Sequence, residues 1–188
     1  MESIIQKRIN EHIGAIEKLS GSKDTIKRIS ETIINCYKHD GKVILFGNGG
    51  SCSDSMHLAT EFVSRYYFDR KSLPAIALTD NVSLTAIGND YGYEDVFAKQ
   101  VEGFVKKGDV VIGISTSGNS KNVIKAIEKA KELGGTTIAF TGRKDSILKD
   151  KVDICLDIPS DDTARIQEGY MLAGHIICEI VEKELFGK

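Results

Sequence analysis

Apolar residues recur at helical spacing at the start of the chain, at Ile4, Ile5, Ile9, Ile13, Ile16 and Leu19, and this predicts an amphipathic helix. A second amphipathic stretch runs from about Thr25 to Tyr37, after the break at Gly21 and Ser22. The period then changes. Short apolar runs rich in β-branched residues appear at Val43 to Phe46, Ala75 to Leu78, Val110 to Ile114, Thr136 to Phe140 and Val152 to Ile158, each bounded by Gly, Asp or Thr. Runs that are apolar throughout, with no alternation, suit strands buried on both faces of a parallel sheet. Helical patterns lie between them, notably Asp54 to Tyr67 and Asn119 to Leu133, the latter stopped by Gly134 and Gly135. The alternation predicts a doubly wound α/β fold: a three-layer αβα sandwich around about five parallel strands.

The last segment, Thr163 to Phe186, reads as a long helix that is apolar over much of its circumference and needs cover on more than one side. With the N-terminal pair it predicts packing between subunits. The 188 residues allow one domain, read as a helical extension over 1–40 and an α/β core with its C-terminal helix over 41–188.

Charge narrows the partners. Twenty-five Lys and Arg against 27 Asp and Glu leave a net charge of -2, which gives no electrostatic reason for nucleic acid or anionic membrane to bind. Cys36, Cys52, Cys155 and Cys178 are far apart and form no CxxC pair, so reduced thiols and a cytoplasmic location are expected. No basic leader with an apolar run and no spanning segment is read in the chain.

Two strand-to-helix junctions share a design. One is Gly47-Asn48-Gly49-Gly50-Ser51, the other Ser115-Thr116-Ser117-Gly118-Asn119-Ser120. Each puts small and hydroxylic residues at the C-terminal end of a strand, where open α/β sheets bind ligands. In the second, four hydroxyls and free N–H groups precede a helix whose positive end favours an anion, so a phosphate fits. Neither turn matches the nucleotide fingerprints GxxxxGK[ST] or GxGxxG, which favours a monophosphate. The plainer reading is that Ser and Thr merely cap a helix and Gly merely turns the chain.

His57 and Glu61, four apart on one helix, share a face. Gln167 and His175, eight apart on the final helix, lie about 80° apart around its axis and also share a side. Together they offer nitrogen and oxygen ligands for Zn²⁺ or a similar ion, although a lone His and Glu one turn apart are more often a surface hydrogen bond than a metal site. His175 sits among Leu172, Ala173, Ile176 and Ile177, where a polar ring needs a partner. His12 and His39 are given no role.

Four blocks, GNGGSCSDSMHLATEFVSRYYFDR, LTAIGNDYGYEDVFAKQV, GDVVIGISTSGNSKNVIKA and ARIQEGYMLAGHIICEIVEKELF, closely resemble the phosphoheptose isomerases of the sugar isomerase (SIS) fold. The resemblance covers nearly the whole chain and is weakest over the first forty residues. It implies an aldose–ketose isomerisation of sedoheptulose 7-phosphate to D-glycero-D-manno-heptose 7-phosphate, on the way to surface glycans such as lipopolysaccharide core or capsule. It implies a homotetramer with active sites between subunits and one Zn²⁺ per subunit. By matching motif, it implies that Asn48, Gly49, Gly50, Ser51, Glu61, Asn89, Asp90 and Gln167 contact the sugar, and that Ser115, Thr116, Ser117 and Ser120 hold the phosphate. His57, Glu61, Gln167 and His175 are then the metal ligands, and Glu61 and His175 the acid–base pair. A competing expectation is a non-catalytic SIS protein that binds a sugar phosphate and a replication or regulatory partner. Two residues beside these motifs are open: Cys52, either reactive or a small helix-start residue, and Arg65, either turned to substrate or paired with Asp69 one helical turn on.

Overall fold

The computed structural model describes residues 1–142 and 145–187. Helices α1 (Glu2–Leu19) and α2 (Lys23–Lys38) lead into β1 (Val43–Gly47) and α3 (Gly50–Val63). Then follow β2 (Ala75–Ala77), α4 (Asn81–Asp90), α5 (Ala98–Phe104), β3 (Val110–Ser115) and α6 (Lys121–Glu132). The chain finishes with β4 (Thr136–Gly142), β5 (Ile154–Ile158) and α7 (Thr163–Phe186).

The five strands form one parallel sheet in the order β2-β1-β3-β4-β5. Every residue of β1 and β3 is buried, as strands covered on both faces require. Alternate residues serve opposite layers. Val43, Leu45, Val110, Ile112, Ile114, Ile138 and Phe140 pack with α2, α3 and α7, whereas Ile44, Phe46, Val111 and Ala139 pack with α5 and α6. The chain leaves β1 for β2 on one side and returns to β3 on the other. That reversal makes the C-terminal edge between β1 and β3 the topological switch point, where doubly wound sheets take their ligands.

All five expected strands and the full span of α7 are present. Helices α4 and α5 did not stand out in the sequence, because short helices carry too few turns to display a period. The helix expected from Asp54 to Tyr67 begins at Gly50 and ends at Val63. It stops because Ser64 turns extended and the N–H groups of Tyr66, Tyr67 and Phe68 are taken by Glu182 of α7 instead of by the preceding helical turn. Arg65 therefore lies beyond the helix, exposed, and among the described residues it forms no ion pair with Asp69. On α1, Ile4, Ile5, Ile9 and Ile13 are exposed in the single chain, as are Leu172 and Ile176 of α7.

Candidate active site

Both junctions seen in the sequence lie at the switch point. Gly47 pairs with Ile114 across the β1–β3 ladder, so the turns that follow these strands are neighbours. Side chains tie them together. Asn48 and Asn122 exchange two amide hydrogen bonds of 2.9 Å each, and the Tyr93 hydroxyl donates to Asn48 Oδ1 at 2.8 Å.

The first turn depends on missing side chains. Gly49 has φ +56°, which only glycine adopts readily with its ψ of -121°. A Cβ on Gly47 would meet the Ile114 carbonyl at 2.8 Å. In the second turn Gly118 has φ +65°, and its N–H donates to the Ser115 hydroxyl (3.2 Å) and carbonyl (3.0 Å). The Ser115 and Ser120 hydroxyls meet at 3.0 Å, and Ser117 Oγ accepts from Asn119 N–H. Asn119 braces the turn against the next loop, its Oδ1 accepting from Ile147 N–H at 3.0 Å.

Neither turn supplies a side-chain cap to the helix that follows it. Ser120 occupies the N-cap position of α6 and Gly49 that of α3, and neither helix has a side-chain cap bond. Helices α1, α2 and α5 also lack one, whereas α4 and α7 are capped by the carboxylates of Asp80 and Asp162. The two helices aimed at the switch point thus leave their positive ends open to an incoming anion.

The second half of the site forms between α3 and α7. His57 Nε2 lies 3.2 Å from Glu61 Oε1 and 3.1 Å from His175 Nε2, and one ligand atom from each of the three residues fits within 4.8 Å. Tetrahedral zinc with bonds of about 2.0–2.1 Å spaces its ligand atoms roughly 3.3 Å apart, close to the separations seen here. Two imidazoles, one carboxylate and an exposed side match a catalytic zinc site with three protein ligands and an open position. The Tyr66 ring stacks on His175 at 6.2 Å between centroids, and burial followed by the neighbouring Tyr67 raises its hydroxyl to about 12.

Close packing without side chains sets this meeting. A Cβ on Gly174 would stand 2.6 Å from Leu58 Cδ2, so α7 rests directly on α3 one residue before His175. At the other end of the same helix pair, a Cβ on Gly50 would stand 2.3 Å from Gln167 Nε2. Gln167 thus lies over the first turn, two helical turns from His175. The buried Tyr170 hydroxyl donates to Asp54 (2.7 Å) and meets Ser51 Oγ at 3.0 Å. Asn89 and Asp90 end α4, where Asn89 Nδ2 donates to Asp90 Oδ1 and, among the described residues, neither side chain bonds to either turn.

Sequence reasoning passed over Tyr93, Asn122, Tyr170, Tyr66, Arg70 and Glu182. Glu182 carried a signal, since it shares the apolar stripe of α7 with Cys178 and Val181, where an unpaired charge has no place. Cys52 is half-buried at the start of α3, and that burial raises its thiol above the ordinary value. His12 binds Glu168 at 2.7 Å and joins α1 to α7.

An αβα sheet with uncapped helices and a hydroxylic turn at its switch point defines a sugar-isomerase domain, and the SIS domain profile matches residues 8–142. The phosphoheptose isomerase of Clostridium acetobutylicum is 53% identical over 192 residues, covering 100% of this chain and 98% of that protein. The solved phosphoheptose isomerase of Neisseria gonorrhoeae superposes with a TM-score of 0.92 at 38% identity, over 97% of this chain and 98% of that one. The Francisella tularensis phosphoheptose isomerase gives 0.93 at 34% identity, over 96% and 97%. The chain belongs to the phosphoheptose isomerase family of SIS-domain proteins.

Proposed function

We propose that this protein is an enzyme that isomerises sedoheptulose 7-phosphate to D-glycero-D-manno-heptose 7-phosphate. The observation that carries the reading is the meeting of Glu61 and His175, 114 positions apart in the chain, through His57 on the helix that starts at the switch point. The likeness to phosphoheptose isomerases over full length supports the substrate class.

The phosphate docks on Ser115, Thr116, Ser117 and Ser120 and on the open N-terminus of α6. Asn48, Gly49, Gly50, Ser51, Asn89, Asp90 and Gln167 take the sugar. The Glu61 carboxylate removes a proton from C1 while His175 protonates the carbonyl oxygen at C2, giving a cis-enediol. The O1 proton then returns to His175 and Glu61 delivers its proton to C2, which leaves an aldehyde at C1. Imidazole suits the second role because it exchanges protons near neutrality. His57, Glu61 and His175, with Gln167 as a fourth ligand if its amide turns toward them, would hold a divalent ion. When bound, such an ion supplies Lewis-acid polarisation of the reacting oxygens.

The non-catalytic reading keeps the phosphate turn but gives no use to a carboxylate and an imidazole brought together. Purified protein incubated with sedoheptulose 7-phosphate and followed by NMR should accumulate the aldose. A protein that binds the ketose and leaves it unchanged would replace the enzyme with a sensor. On this reading the protein acts at the entry to heptose-containing glycans, in the cytoplasm and as a homotetramer with sites shared between subunits. The exposed isoleucines of α1 and the apolar residues of α7 support that assembly. Among the described residues no helix is long and apolar enough to cross a membrane.

A further inference from the structure

Beyond the last turn of α3, Arg70 and Glu182 form an ion pair whose side chains are 2% and 1% exposed. Arg70 Nε donates to Glu182 Oε1 at 2.8 Å. Its remaining nitrogens turn back onto the helix end, Nη2 donating to the Glu61 carbonyl (2.9 Å) and Nη1 to the carbonyls of Phe62 (2.8 Å) and Lys71 (3.2 Å). Glu182 gathers the N–H groups of Tyr66 (2.8 Å), Tyr67 (2.6 Å) and Phe68 (3.1 Å). The pair thus gives the Glu61 carbonyl at the helix end a donor and adds one to the Phe62 carbonyl, which also accepts from Leu73 N–H at 3.1 Å, and it places a cation at the negative end of α3.

The location gives this arrangement its meaning. Glu61, whose carbonyl Arg70 holds, carries the candidate base; Glu182 stands seven residues, two helical turns, beyond His175 on the same face of α7. We infer that the Arg70–Glu182 pair is a positioning device for the acid–base group, clamping the end of α3 to α7 so that the Glu61 carboxylate meets His57 and His175 and Tyr66 stays stacked on His175. This deepens the isomerase reading and rests on it.

A wish for stability alone does not account for the pair. A buried ion pair gains little over apolar residues of the same volume, because desolvation offsets the attraction. What apolar residues cannot do is address two successive carbonyls with one planar fork and so fix the rotation of the final helical turn. Rotation matters at this place, since a displacement of about 1 Å at a reacting group costs up to a hundredfold in rate. The phosphate turn lies at the opposite end of α3 and does not depend on the clamp.

Three variants test the inference: Arg70→Lys, which keeps the charge and loses the fork; Glu182→Gln, which keeps the shape and loses the charge; and Arg70→Met with Glu182→Leu, which fills the space with apolar groups. Each is followed by thermal melting, by kcat and KM for sedoheptulose 7-phosphate, and by Zn²⁺ affinity of the metal-free protein in competition with a chromophoric chelator. We expect Arg70→Lys and the double variant to lose at least tenfold in kcat and tenfold in Zn²⁺ affinity while KM stays within threefold. Should the double variant fail to fold, Arg70→Lys decides alone. A folded variant with kcat and Zn²⁺ affinity within twofold of wild type overturns the clamp, as does a kcat that falls only in step with the folded fraction. If the wild type does not isomerise the sugar, the isomerase reading fails and the Zn²⁺ comparison still decides the clamp. A wild type that also takes up no Zn²⁺ overturns both.

Discussion

The two ends of the site are built in opposite ways. The hydroxylic turn is six consecutive residues bonded in part among themselves, with Ser115 facing Ser120 and Gly118 closing back on Ser115, and braced from outside by Gly142, Ile147 and Leu148. The acid–base group is local only in part. His57 and Glu61 meet at 3.2 Å one turn apart on the same helix, but His175 comes from another helix more than a hundred residues away, and its 3.1 Å approach to His57 exists only because α3 and α7 pack at Gly174 and Leu58. A turn made of consecutive residues should govern affinity, whereas a packed helix pair should govern rate.

The sharpest way to break that division is Glu61→Gln. It should lower kcat by about 10² to 10⁴, the usual worth of a positioned general base, while melting and phosphate binding stay as in the wild type. Native turnover in this variant would remove Glu61 from the chemistry. Next on this half is removal of a bound metal: dialysis against a chelator should reduce kcat at least tenfold, Zn²⁺ should restore it, and elemental analysis should find about one ion per chain. An enzyme indifferent to both treatments would leave the His57, Glu61 and His175 group to proton transfer alone.

The opposite half of the comparison is probed by Ser115→Ala with Ser120→Ala. Loss of two hydrogen bonds to a charged phosphate, about 1.5–3 kcal/mol each, should raise KM about a hundredfold or more with kcat nearly retained. A loss confined to kcat would contradict the assignment of the turn. Gly174→Val adds bulk where a first carbon already stands 2.6 Å from Leu58, so it should destabilise the fold by about 1–3 kcal/mol and cut kcat more than KM.

The smallest effect concerns acid. Burial on its own would raise the Glu182 carboxyl, but the N–H groups of Tyr67 and Tyr66 and the Arg70 guanidinium outweigh it and hold the group below the usual carboxylate range. A carboxyl depressed in the folded state contributes stability above its unfolded value and loses it as pH falls through the folded one. The stability advantage of wild type over Glu182→Gln, measured by urea unfolding, should therefore be full at pH 7 and shrink below about pH 4. An advantage that grew on acidification would reverse the sign argued here.

The contrast between the ends also explains what could be read early. Strands β1 and β3 were legible because a strand buried on both faces is apolar almost throughout, as in Val110 to Ile114, and the partly exposed edge strands β2 and β5 because their short apolar runs are bounded by turn residues. The turn at Ser115 to Ser120 was legible because its ligand groups are neighbours in the chain. Helices α4 and α5, the early stop of α3 at Val63, and the role of Arg70 were not, since each depends on contacts with distant residues.

By itself, then, the amino-acid sequence determined the parallel sheet, the hydroxylic turn after β3 and the residue types available for acid–base work, because period and local chemistry are properties of short segments. The tertiary structure alone decided that His175 lies on His57 and Glu61, that Gln167 rests over Gly50, and that Glu182 ends α3 through Arg70. Such meetings turn on the register between two helices, and register is set by close packing across the whole interface, which no segment carries within itself.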